Sequence, residues 1–280
     1  MTGVTDCHLH VNPLWEMRAD ARALLGPLPG DADRFLRDPS LLLAYLDRAG
    51  VDRAVLVNYV APEVIGYTER TNDFVAEYVR AHRRRLIGAG GIRIPFTVDP
   101  EREVARLVDE LGLRAVKLHP PHQRFYPNAY GDDSQDPLRR LYAALERRRV
   151  PVIFHTGTSI FPGARNKYGA PMFVEDVAID FPKLPIVLAH AGRPLWTDEA
   201  EFLHRRFPNV WLELSGIPPA RILNYLPRLE QRSERVVFGT DWPGPGVPSI
   251  RSNLDAFRAL PLSSAVKERI LVTNALELWP

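Results

Sequence analysis

Short apolar runs alternate with longer amphipathic stretches along the whole 280-residue chain. The apolar runs occupy 4–10, 53–57, 86–94, 114–119, 152–155, 186–190, 210–214 and 235–241. Runs this short and this continuously apolar suit strands buried on both faces, as in a parallel sheet. Between them, apolar residues return every three or four positions, which is the helical period. Eight strand-then-helix units predict a single (β/α)8 TIM barrel over residues 1–280, and 45% hydrophobic residues can fill one large core.

Local punctuation supports this reading. Asp38-Pro39, Asp99-Pro100 and Asp136-Pro137 each put a capping carboxylate before a proline suited to the first helical position. Gly50 and Gly112 stand where the helices should stop. Other helices are expected near 71–85, 173–181, 198–207, 221–230, 249–259 and 263–278. The stretch 11–37, rich in Pro and Gly and carrying Trp15 and Glu16, reads as a long loop and a candidate lid.

Thirty-six Lys and Arg against 34 Asp and Glu leave a formal charge of +2, which calls for neither nucleic acid nor an anionic membrane as partner. No apolar run reaches the length of a membrane span. The lone Cys7 cannot form an intramolecular disulfide, and no basic-then-apolar segment precedes the first strand, so a cytoplasmic location is expected. A small-molecule substrate is the expected partner. A homodimer is compatible with exposed barrel helices, although no seam stands out.

Barrel enzymes work at the carboxyl ends of their strands. There the chain places His10, Lys117, His119, His155, His190 and Asp241. On strand one His8 and His10 share a face, while Cys7 and Leu9 point the other way. Of the eight histidines, His82 and His204 fall on helices beside arginines and read as surface residues. The other six lie at strand ends or just beyond. Alone, His155 or His190 is compatible with a core histidine bonded to a backbone carbonyl, and Asp241 with a turn cap. Together, imidazoles and a carboxylate suit one divalent cation, most readily zinc, with manganese or ferrous iron also accommodated.

His8-x-His10, His155, His190 and Asp241, in that order on strands one, five, six and eight, resemble the amidohydrolase superfamily. The likeness extends to Phe154-His155-Thr156-Gly157, Ala189-His190-Ala191-Gly192, Phe238-Gly239-Thr240-Asp241-Trp242-Pro243 and the late Asn274-Ala275. It is closest to the branch holding aminocarboxymuconate-semialdehyde decarboxylase, resorcylate decarboxylase, and the pyrone-dicarboxylate and sugar lactonases. The resemblance implies that His8, His10, His155 and Asp241 hold one divalent metal, that His190 is the general acid or base, and that Asp241 also handles a proton.

Lys117, two positions before His119 on strand four, is ambiguous. In binuclear members of the superfamily a carboxylated lysine at this place bridges two metals, whereas a free ammonium would bind a substrate carboxylate or pair with a barrel acid; the free form is favoured. Lys117 and His119 are therefore candidates for a second metal or for substrate. Further substrate contacts are expected from His122, Arg124 and Tyr126 after strand four, Arg165 after strand five, and Arg193 after strand six. The expected reaction is metal-dependent hydrolysis of an amide, ester or lactone carbonyl in a small, carboxylated or cyclic substrate. The alternative is non-oxidative decarboxylation of an aromatic or muconate-type acid. A metal-binding barrel without turnover is a third reading, disfavoured by the presence of both His190 and Asp241.

Overall fold

The computed structural model describes residues 3–95, 99–131, 133–134 and 136–280. Its centre is an eight-stranded sheet in sequence order, formed by β1 (Thr5–Leu9), β2 (Arg53–Val57), β3 (Leu86–Gly91), β4 (Ala115–Leu118), β5 (Val152–His155), β6 (Ile186–Ala189), β7 (Val210–Glu213) and β8 (Val236–Val237). Every neighbouring pair is parallel. The expected single-domain (β/α)8 barrel is the observed fold.

Strand eight is far shorter than the apolar run 235–241 suggests. Past Val237 the chain still runs beside β1, because Cys7 N donates to Phe238 O, Asp241 N to His8 O and His10 N to Trp242 O, each at 2.8 Å. These bonds close the barrel. Asp241 then adopts a left-handed backbone with φ 67°, which ends the extended run and leaves its carboxylate beside the His8 and His10 rings. Asp6 reinforces the seam by accepting from Thr240 N at 3.0 Å and from the Thr240 hydroxyl at 2.7 Å.

Two apolar layers follow from strand alternation. Leu56, Val116, Phe154, Leu188 and Leu212 pack outward against the helices. Val55, Val57, Ile87, Ala115, Ile153, Val187 and Val237 fill the barrel interior with Leu278 and Trp279 of the last helix. Cys7 joins this inner cluster rather than facing outward with Leu9, since the β1 to β2 register slips between Asp6 and Leu9. The slip breaks strict alternation.

Asp38, Asp99 and Asp136 cap the helices Pro39–Ala49, Pro100–Ala105 and Pro137–Arg148 through side-chain bonds to first-turn amides. The stretch 11–37 contains the helical segments Leu14–Glu16, Ala19–Leu25 and Ala32–Phe35, and so is not one irregular loop. The region 221–230 is helical only at its start, through the end of the 3-10 turn Pro219–Arg221 and Ile222–Tyr225. His204 is buried, with Nδ1 3.2 Å from Val210 O, not on the surface. It lies one turn after Ala200 on the stripe that helix Thr197–Arg206 buries. Asn274 belongs to the scaffold, donating to Ser233 O and Val236 O at 2.7 Å each.

Candidate metal centre and active site

His8, His190 and Asp241 bring one ligand atom each within 4.8 Å of one another. His10 joins them, with Nε2 3.0 Å from Asp241 Oδ1, and His8 Nε2 lies 3.7 Å from the same oxygen. His155 packs edge-on against His190 at 4.7 Å between ring centroids, and its Nε2 is buried without a hydrogen-bond partner.

Hydrogen bonding behind the rings assigns their tautomers. His8 Nδ1 is 2.7 Å from the Glu213 carboxylate and His10 Nδ1 is 2.9 Å from Val57 O; both partners only accept, so both Nδ1 atoms carry hydrogen. In the neutral form that metal ligation requires, His8 and His10 would aim bare Nε2 lone pairs at the Asp241 carboxylate. Lone pairs facing one another in a buried site are unfavourable unless a cation lies among them. The donor set therefore fits a divalent metal, as a cluster of imidazoles and one carboxylate should.

His190 is fixed in the same way. The Ser215 hydroxyl donates to Glu213 Oε2 at 2.7 Å, which uses its only hydrogen. His190 Nδ1, 2.9 Å from Ser215 Oγ and 3.1 Å from Ser215 O, must then be the donor. Its Nε2 is left to gain and lose protons. One carboxylate, Glu213, thus orients a metal-type histidine directly and the expected acid/base histidine through Ser215. Sequence reasoning does not single out Glu213 or Ser215. The signal was a charged residue inside the apolar run 210–214, on the inward face it shares with Trp211.

Burial lowers the pKa values of His8, His119, His155 and His190, and favours the neutral rings that metal binding needs. For Asp241 burial acts upward, but the charge of His10 and His8 in their protonated form, with that of Arg193, outweighs it and holds the carboxyl below the usual carboxylate range; a divalent cation among neutral rings would act in the same direction. His190 and Asp241 both have positive φ, 66° and 67°, a strained conformation held by the surrounding bonds.

Lys117 lines the same cavity, is 1% exposed, and its Nζ has no hydrogen-bond partner among the described residues. Burial lowers its pKa to about 8, with Glu213 and Asp241 opposing that effect. His119 is stacked between His122 at 3.6 Å and His155 at 3.9 Å. Arg193 lines the cavity too. His122, Arg124, Tyr126 and Arg165 do not form its wall. His122 is turned toward Ser159 Oγ at 2.7 Å, and Arg124, at a left-handed helix end, reaches Gly163 O. Tyr126 packs on Tyr168 and Phe173, while Arg165 is exposed beside Ala164.

A family model described as Amidohydrolase matches residues 5–280. The chain belongs to that amidohydrolase family. Within it, the likeness is to the decarboxylase branch. Gamma-resorcylate decarboxylase from Rhodococcus jostii is 26% identical over 77% of this chain and 77% of its own length. An uncharacterised TIM-barrel protein from Bordetella bronchiseptica has a TM-score of 0.76, 23% identity and 98% coverage of both chains. A dihydroxybenzoic acid decarboxylase from Polaromonas, solved with manganese and the inhibitor 2-nitroresorcinol, has a TM-score of 0.69 at 20% identity, covering 99% of this chain and 97% of that chain. The curated relatives are decarboxylases, which favours the alternative reaction over hydrolysis.

Proposed function

We propose that this protein is a metal-dependent, non-oxidative decarboxylase of small aromatic acids. The observation that carries the reading is the convergence of the Nε2 atoms of His8 and His10 on Asp241, with His190 held beside them, in a chain whose curated relatives are decarboxylases. His8, His10, His155 and Asp241 would hold the metal, and manganese is the natural first choice because a structural relative carries it. The cation supplies fixed positive charge that steadies the anionic oxygens of a hydroxybenzoate.

The protein's own groups do the rest. Lys117 and Arg193, the cationic side chains on the cavity wall among the described residues, bind and orient the carboxylate. His190 Nε2 takes the proton of a ring hydroxyl and delivers it to the carbon bearing the carboxylate. The carbon–carbon bond then breaks, CO2 leaves, and its electron pair restores the aromatic ring. The hydroxyl proton ends as the new ring C–H, so no external oxidant or reductant is needed. The half-enclosed cavity limits water, which suits transfer to carbon.

The test is release of CO2 from 2,6-dihydroxybenzoate and related hydroxybenzoates by manganese-loaded protein, alongside a panel of lactones, esters and amides. CO2 with a phenolic product supports the reading. Hydrolysis of a panel member with no CO2 from any acid overturns it.

A further inference from the structure

The cavity is larger than a single aromatic ring requires. It has a volume of about 390 Å³, whereas a cavity of about 150 Å³ suffices for a benzene ring. Its lining joins the metal-type residues, Lys117 and Arg193 to an apolar part built from Leu14, Met17, Leu25, Leu28, Ile65 and Phe161. The first four come from the stretch 11–37, whose folding into short helices turns a loop into a wall.

That wall is fastened at several points. Arg18 N donates to Ile65 O at 2.9 Å, binding it to the segment after β2. Gly66, at φ 97°, lets the two segments touch; a methyl group there would lie 2.8 Å from both Arg18 N and Glu16 O. Trp15 packs edge-on against Phe74, and the Arg37 guanidinium covers its other side at 4.4 Å. Leu14 and Leu28 rest on the main core, while Met17 and Phe161 rest on the cluster of Tyr59, Val64, Ile65 and Tyr67. The apolar part is therefore preformed. Left empty of substrate, it would expose half-buried leucines to water that has few polar groups to bind.

We infer that the acid taken by this site carries an apolar substituent of several carbons on the part of the ring remote from the leaving carboxylate, seated against the 11–37 wall. The inference rests on the proposed decarboxylase reading and names its substrate class: alkyl-substituted hydroxybenzoates, with alkylresorcinol-type products. The polar part alone accounts for carboxylate and hydroxyl groups, and the apolar part supplies the selectivity.

The test is calorimetric titration of the manganese-loaded full chain with resorcinol and two product-like series, 4-alkyl and 5-alkyl resorcinols from methyl to pentyl. In one series Kd should fall about threefold per added methylene. Flat or rising Kd in both series overturns the inference. Leu28→Gln, or Leu25→Gln if the first does not fold, should cut the gain from methyl to pentyl at least tenfold; an unchanged gain overturns the placement of the substituent. CO2 release from the matching acids is measured separately. Tight alkylresorcinol binding without CO2 from any acid would sink the decarboxylase reading and leave the apolar subsite standing.

Discussion

Glu213 Oε2 lies 2.7 Å from His8 Nδ1 in the barrel interior, where His8 is 0% and Glu213 1% exposed. A bond this short to an ionised acceptor raises the basicity of the opposite nitrogen and locks the ring. Gly239 is part of the arrangement, since a β-carbon at that position would run into the Glu213 carboxylate. Glu213→Gln keeps the shape and removes the charge. Metal affinity, read by competition with a chelator, should fall roughly 10- to 100-fold. Unchanged affinity would mean that His8 is oriented by something else.

His190 has a separable role. Its Nδ1 is held by Ser215, and only Nε2 faces the reaction. His190→Ala should lower decarboxylation roughly 10²- to 10⁴-fold, with the metal retained by His8, His10, His155 and Asp241. Loss of the metal together with activity would instead make His190 an obligatory ligand, as its place in the cluster with His8 and Asp241 permits.

His204 gives a pH prediction away from the site. Burial, with the nearby Arg235 charge, lowers its pKa to about 4. An unfolded chain binds that proton below about 6.5, whereas the folded protein refuses it until about 4. Stability from this residue is therefore complete above the unfolded value and is lost as pH falls through this window, by about 3 kcal/mol in all. His204→Leu should show a smaller drop in urea midpoint between neutral and acid pH than the parent protein. Parallel pH profiles would refute the assignment.

Much of this molecule was legible in its sequence because the barrel repeats one simple grammar. Strands two and five were read to the residue, and the three Asp-Pro caps bond as expected, since both signals are local. The site was legible where histidines end strands. Glu213 was not, because its meaning depends on His8, 205 positions away. Strand eight is short because past Val237 its bonds to β1 meet an irregular register, a property of the pairing that no single residue announces. His122, Arg124, Tyr126 and Arg165 lie off the cavity wall for one reason: a residue near a strand end in sequence faces the cavity only if the loop turns it inward, and loop conformation is not periodic.

Lys117 joins stability to function with opposite signs. Its ammonium is buried, without a hydrogen-bond partner among the described residues, and held to a pKa of about 8. An unfolded lysine titrates near 10.5, so the charged form is disfavoured in the fold at every pH below that window, by about 3 kcal/mol. Lys117→Met should therefore stabilise the substrate-free protein at pH 7 by up to about that amount, with the advantage shrinking as pH rises past 8 toward 10.5. The same change removes a charged hydrogen bond to the substrate carboxylate, so KM should rise roughly 10- to 100-fold. Elemental analysis of both forms should give about one metal per chain. A variant that loses metal and stability together would identify Lys117 as a carboxylated bridging ligand, and with it a second metal in the barrel.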